Sequence, residues 1–298
     1  MAQLYDAIAH NKRNSIFLIL AFVLIVGLLS YFLGFFFANP VMGLIFGFLF
    51  ILVMILIGYY SGDSLILSMH HAKEVKKADD PYLVNTIEGL ALAAGLPAPK
   101  VYLIEEDSPN AFATGRDPQH ASITVTSGLR KTLNRQELEG VLAHEMSHIK
   151  NFDIRYMMFV AILAGVIVLM SDFILRSFLW GGARSGERKN GGIFLVLILI
   201  GIALAILSPI IAQIIKFAAS RQREYLADAS GAMLTRNPQG LANALKRIRD
   251  AKDKVVDDAN KATAHLFIEN PLRGLGGMNN LFSTHPDINQ RIKRLEEM

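Results

Sequence analysis

From residue 14 to residue 62 no side chain carries a charge. No ordinary soluble core needs an uncharged stretch of that length, because about 20 apolar helical residues already span about 30 Å of hydrocarbon. Asn39-Pro40 interrupts it with a turn signal and leaves residues 15–38 and 41–60, each long enough to cross a bilayer. Lys12 and Arg13 suggest a signal peptide, but the apolar part exceeds the usual ~7–15 residues and a second run follows at once. Two later runs are also uncharged: 156–171, which meets Asp172, and 190–215, which contains Pro209. The 298-residue chain is 52% hydrophobic and only 19% charged, against about 25% charged in soluble domains. Disordered, collagenous and coiled-coil classes are excluded.

Cysteine is absent. That removes disulfide frameworks, thiol nucleophiles and cysteine-ligated centres, so any metal must be held by His, Asp or Glu. The net charge is +4, but its basic residues are scattered or flank the apolar runs, and nucleic acid is not an expected partner. The polar segments 61–153 and 217–298 together suffice for one soluble domain built around the second apolar pair. Residues 80–95 read as an amphipathic helix ended by Gly95-Leu-Pro97. Residues 100–104, 111–114 and 122–126 read as short strands of a small antiparallel sheet. Asn134 and Glu137 have the spacing of a capping box that opens a helix. Asn237-Pro238 opens another, and 252–283 reads as a long mobile connection.

The chemistry is concentrated in Glu137-Leu-Glu-Gly-Val-Leu-Ala-His144-Glu145-Met-Ser-His148. On a helix, His144 and His148 are i and i+4, so both rings leave one face and can share one Zn²⁺. Glu145, beside the first ring, can take a proton from water. This is H-E-x-x-H, a zinc metalloprotease signature that chance also produces, and its place in a capped helix raises its weight. A second acidic pair, Glu224 and Asp228, is again i and i+4. A catalytic zinc needs three protein ligands and an open position, and Glu224 completes that count. Asp228 suits the ring N–H of a ligand histidine. In isolation the pair would read as a solvated face balanced by Arg221 and Arg223. His70-His71, followed by Lys73, Lys76 and Lys77, reads as a juxtamembrane basic stretch, since adjacent helical residues diverge.

With these residues in place the sequence resembles the HtpX family of bacterial membrane metalloproteases, gluzincins related to the CaaX prenyl proteases. The likeness covers nearly the whole chain. It includes the N-terminal apolar pair, Asn110-Ala-Phe-Ala-Thr-Gly115, the His144–His148 helix and the stretch from Arg221 to Asp228. It ends with Phe282-Ser-Thr-His285-Pro286 and Arg291-Ile-Lys-Arg-Leu295. Most members carry a second proline where this chain has Asp287. The resemblance implies one catalytic Zn²⁺ held by His144, His148 and Glu224, with Glu145 as general base. It also implies polypeptide substrates and a role in quality control of membrane proteins. For His285 it suggests a substrate or oxyanion role, while a purely structural loop histidine fits its sequence equally well. Asn110, Ala111 and Phe112 would belong to a sheet edge along which a substrate backbone adds, or to an ordinary edge strand.

The expected fold is an α+β membrane protein: a mainly helical, zincin-like catalytic domain with a small antiparallel sheet, plus two transmembrane helical hairpins. Its divisions are 1–60, a first hairpin; 61–153, sheet and H-E-x-x-H helix; 154–216, a second hairpin; and 217–298, the acidic-pair helix and the C-terminal helices. Lys12 and Arg13 place the catalytic domain in the cytoplasm at the bacterial plasma (inner) membrane, although Arg176, Arg184, Arg188 and Lys189 run against the positive-inside rule. Two competitors stand beside this reading. One is an intramembrane protease, whose H-E-x-x-H would lie inside an apolar span. The other is a non-catalytic membrane adaptor or chaperone with a relict zinc site.

Overall fold

The computed structural model describes residues 39–162, 221–251, 256, 263–269 and 286–298, with scattered positions between 13 and 31. Most of the first apolar segment, the third run beyond residue 162, the whole fourth run, most of 252–283 and His285 lie outside the described residues.

The second apolar segment is helix α1, Pro40–Met69. Asn39 fixes its start by accepting a hydrogen bond from the Met42 N–H, and Pro40 fits the first turn, where no N–H is needed. Among the described residues it is the one helix long and apolar enough to cross a membrane. Phe46 and Phe48 are 64% and 62% exposed, as side chains facing lipid are. Its buried residues are three glycines, Gly47, Gly58 and Gly62, and the aliphatics Ile51, Ile66 and Leu67. A Cβ on Gly62 would lie 2.5 Å from Ile162 and 3.0 Å from the Met158 sulfur, and one on Gly58 would touch Phe159. The helical residues 153–162 therefore pack into a Gly-x-x-x-Gly notch of α1.

The polar sequence folds as β1 (Lys73–Glu74), α2 (Pro81–Ala94), β2 (Lys100–Ile104), β3 (Ala111–Gly115), β4 (Ala121–Thr126), α3 (Ser127–Thr132) and α4 (Arg135–Lys150). After the second apolar pair come α5 (Arg221–Thr235), α6 (Pro238–Asp250) and α7 (Ile288–Glu296). Local signals fix these boundaries. Asp80 caps α2, and Gly95 ends it at φ 70°, a left-handed conformation that glycine adopts without strain. Both halves of the Asn134–Glu137 capping box are formed at α4.

The sheet order is β1-β2-β4-β3. Contrary to the sequence expectation, the sheet is mixed. β1–β2 and β3–β4 are antiparallel, but β2 and β4 run parallel, pairing Lys100 with Ser122 through Ile104 with Thr126. The cause is the order of insertion. β3 takes the outer position, and the tight corner after Gly115 sends β4 back between β3 and β2. At that corner Gly115 has φ 141°, and a Cβ would lie 2.2 Å from the His120 carbonyl oxygen. Short strands and turn residues do not encode which side of a neighbour a strand enters.

One sheet face presents Val101, Ala111, Ala113, Ile123 and Val125 to a core shared with Leu83 and Ile87 of α2 and Leu138, Val141 and Leu142 of α4. α4 lies between the sheet and helices α5 and α6, and its residues from Glu137 through Ile149 are buried except Glu139. A helix that is buried nearly all round can hold polar side chains only if each finds a partner. His70 is likewise buried, not part of an exposed basic stretch: its ring contacts Phe112 and Phe267 at 5.7 and 5.3 Å.

Candidate metal centre

Helix α4 carries His144, Glu145 and His148, and α5 brings Glu224 and Asp228 against them. The close approach depends on Gly231, where a Cβ would stand 3.0 Å from the His144 backbone nitrogen. His144 and His148 place their Nε2 atoms 3.1 Å apart. The Glu224 carboxylate oxygens lie 3.7 Å from His144 Nε2 and 3.6 Å from His148 Nε2. All three side chains are buried, with ligand atoms within 4.8 Å of one another. Two imidazoles on one tetrahedral zinc, each about 2.0–2.1 Å away, put their nitrogens about 3.3 Å apart. The donor set and its spacing fit that ion.

Each histidine is oriented from behind. His144 Nδ1 lies 3.0 Å from Asp228 Oδ1, and His148 Nδ1 lies 2.9 Å from Asp153 Oδ2. A ring that donates through Nδ1 presents its Nε2 lone pair to a metal. Each carboxylate in turn meets an arginine. Arg291 of α7, fully buried, donates to Asp228 at 2.9 and 2.7 Å and to the Ile268 carbonyl at 2.9 Å. Arg223 stands 3.4 Å from Asp153. Burial alone would raise the Asp228 carboxyl, but the Arg291 charge and the hydrogen bonds from His144 and Arg291 outweigh it and hold it low. Burial raises the Glu145 carboxyl, against the lowering pull of His144 and His148. Although Glu145 is buried, its Oε1 has no hydrogen-bond partner among the described residues. A carboxylate oxygen placed so beside two ligand rings can work as a proton carrier.

The structure therefore brings together His144, Glu145, His148, Glu224 and Asp228. His285 lies outside the described residues. Ala111 and Phe112 begin the edge strand β3 and Asn110 precedes it, but their outer side is covered by the chain itself. Phe267 pairs with Phe112, the Ile268 N–H donates to the Ala111 carbonyl at 2.9 Å, and Asn110 Nδ2 donates to the Glu269 carbonyl.

Sequence reasoning missed Asp153, Arg223 and Arg291. Asp153 is five residues beyond His148 and off its helical face. It returns to the ring because α4 stops at Asn151 and Phe152 takes φ 60°. Arg291 is one of several basic residues in the final helix, and only tertiary packing sets it apart.

A family model described as Peptidase family M48 matches residues 77–298. The chain is 47% identical over 296 residues to the Protease HtpX homolog of Caldanaerobacter subterraneus subsp. tengcongensis, covering 99% of this chain and 98% of that one. It is 44% identical to the Protease HtpX homolog of Dictyoglomus thermophilum, covering 99% of this chain and 94% of that one. Among solved structures it resembles crystalline Ste24p from S. mikatae, with a TM-score of 0.53 and 20% identity, covering 99% of this chain and 67% of that one.

Proposed function

Because this chain belongs to peptidase family M48, as an HtpX homolog with a zinc site of His144, His148 and Glu224, we propose that it is an integral membrane endopeptidase that degrades damaged or misfolded membrane proteins. The observation that carries the reading is the buried His144–His148–Glu224 cluster with the Glu145 carboxylate beside it. Held there, zinc supplies the Lewis acidity that brings the pKa of water to about 7 and polarises a scissile carbonyl.

The remaining steps belong to the chain's own residues. Glu145 accepts the proton of the attacking water and delivers it to the leaving amine nitrogen. Its raised carboxyl favours this exchange. Asp228 and Asp153 fix the two rings in the tautomer that presents Nε2. Arg291 holds Asp228 in place and keeps it ionised. Asn110, Ala111 and Phe112 remain our proposed edge for a substrate backbone, which would take the place that Phe267 and Ile268 hold there. His285 we retain as a donor to the oxyanion, on its place before Pro286 in the sequence alone.

The same reading divides the chain into a hairpin at 1–60, catalytic segments at 61–153 and 217–298, and a second hairpin at 154–216, with the catalytic domain in the cytoplasm. The packing of Met158, Phe159 and Ile162 on Gly58 and Gly62 supports the second hairpin, because it sets the start of the third run against α1. Zinc content and peptide hydrolysis of the purified protein, compared with Glu145→Gln, test the function. Hydrolysis that needs zinc and Glu145 is expected. Zinc-loaded protein that cleaves nothing, with or without Glu145, would favour a non-catalytic adaptor.

A further inference from the structure

The outer edge of β3 is occupied by residues 263–269, and all of these but Glu269 are buried. Phe267 pairs antiparallel with Phe112. To one side of that pair the Ile268 N–H donates to the Ala111 carbonyl at 2.9 Å. To the other, the bridge sets the Ala113 N–H against the Leu266 carbonyl. Farther along, Asn110 Nδ2 donates to the Glu269 carbonyl at 3.0 Å. These are the main-chain contacts that any strand added to this edge would make.

The same segment reaches the metal centre. The Ile268 carbonyl accepts from Arg291 Nη1 at 2.9 Å, and that nitrogen stands 3.5 Å from a Glu224 carboxylate oxygen. The other terminal nitrogen of this guanidinium is 3.5 Å from His144 Nε2. One arginine nitrogen therefore separates a backbone carbonyl of residues 263–269 from a zinc ligand. A polypeptide brought along β3 to the zinc has to lie where this segment lies.

What distinguishes this segment from another strand is its side chains, Phe267 above all. That ring is fully buried, 4.9 Å from the ring of Phe112 and 5.3 Å from that of His70, in one apolar cluster with Leu67, Ile104 and Met158. His265 adds a contact of Nε2 with the Met157 carbonyl oxygen at 3.0 Å. An incoming backbone replaces the main-chain hydrogen bonds one for one, so they decide little between the two strands. The aromatic niche decides more, because emptying it exposes apolar surface and leaves a void.

We infer that residues 263–269 are a built-in occupant of the substrate edge, which a polypeptide displaces by placing an aromatic or large aliphatic side chain where Phe267 sits. This rests on β3 being the substrate's edge, as proposed for the function. Until it is displaced, the segment keeps the centre covered. The exchange also acts as a filter. A folded protein keeps most of its large apolar side chains inside and its strands paired, so it offers neither the extended backbone nor the side chain. A damaged or misfolded chain exposes both.

The chain has no cysteine, so one engineered disulfide has no rival. The Asn110 side chain meets the Glu269 backbone, and opposed positions of an antiparallel pair are close enough to be bridged. Asn110→Cys combined with Glu269→Cys pins the segment to β3 when oxidised. Reduction releases it in the same protein, with Phe267 and its niche intact. The oxidised form should cut an unfolded, aromatic-rich polypeptide at least about tenfold more slowly than the reduced form at equal zinc content, as expected of a tethered competitor. Equal rates would overturn the inference. A second arm reads binding without turnover: Glu145→Gln is added, and a fluorescent peptide of the segment's own sequence, Thr-Ala-His-Leu-Phe-Ile-Glu, is titrated against both forms. The reduced form should bind it, and should bind the peptide carrying Phe267→Ala at least about tenfold more weakly. The oxidised form should bind neither. No binding to the reduced form, or equal binding to both forms, would also overturn the inference. The expected binding pattern, with no polypeptide cut by the zinc-loaded wild type, would instead remove the endopeptidase reading and leave the built-in occupant standing.

Discussion

Arg291 and Asp228 form a two-point hydrogen-bonded pair, Nε to Oδ2 at 2.9 Å and Nη2 to Oδ1 at 2.7 Å, with both side chains buried. Asp228 is also the partner of His144, so α7 reaches a zinc ligand through one carboxylate. Breaking one side of a buried ion pair costs about 3–5 kcal/mol, because the other charge stays behind. Arg291→Ala should therefore lower thermal stability strongly. Arg291→Lys, which keeps the charge and loses the fork, should fold and bind zinc about 10–100-fold more weakly. Zinc competition with a chromophoric chelator reads this directly, and wild-type affinity in Arg291→Lys would remove Arg291 from the role.

Glu145 and Glu224 should separate cleanly. Glu145→Gln keeps the ligands and is expected to retain one zinc per chain while losing turnover. Glu224→Ala removes a ligand, and an open tetrahedral site has none to spare. It should lose most of its zinc along with its activity. Metal analysis after gel filtration distinguishes the two, and full zinc in Glu224→Ala would move the third ligand elsewhere.

His148 predicts a pH dependence. Burial opposes its charge, but the hydrogen bond to Asp153 and the nearby Glu224 carboxylate outweigh burial and raise its pKa to about 9 in the metal-free protein. Because the folded value lies above the unfolded one, about 6.5, this charge stabilises the metal-free protein fully below pH ~6.5 and is lost as pH rises through about 9. Zinc must displace that proton. Calorimetric titration near pH 7.5, in buffers of different ionisation enthalpy, should show about one proton released per zinc from this ring. Asp153→Asn should reduce that release and weaken zinc binding.

Gly231 tests the helix crossing. A Cβ there meets the His144 backbone at 3.0 Å, and a backbone cannot swing aside as a side-chain tip can. Gly231→Val should push α5 from α4 and draw Glu224 away from the two rings. Zinc affinity should fall by more than the same exchange causes at Gly89, where a Cβ meets nothing within 4 Å. Equal effects at the two positions would refute the account.

Much of the fold was legible because its signals are local. The Asp80, Asn134 and Asn237 caps, the Gly95 stop and the i, i+4 histidines each act within a turn of chain. The ligand set was legible for the same reason, since each half of it lies on one helix face. What stayed hidden is long-range. Whether β4 enters beside β2 or outside β3 costs the same turn residues. Asp153 reaches His148 only through the reversal at Phe152, and Arg291 meets its carboxylate across 63 residues of sequence. His265 is buried, with Nε2 3.0 Å from the Met157 carbonyl oxygen. Buried polar partners of this kind are set by packing, which no periodicity announces.

The order of the metal-centre residues along the chain has a consequence for biosynthesis. His144 and His148 precede the third and fourth apolar runs, while Glu224, Asp228 and Arg291 come after them. A nascent chain that has made only the histidine helix holds half a centre and cannot hydrolyse anything. The second half arrives only after both apolar runs have been synthesised and must come back to the first across them. In the topology proposed above, a copy whose apolar runs were misplaced would not close the cluster, which would make correct insertion the activating event and keep the protease inert until it is seated.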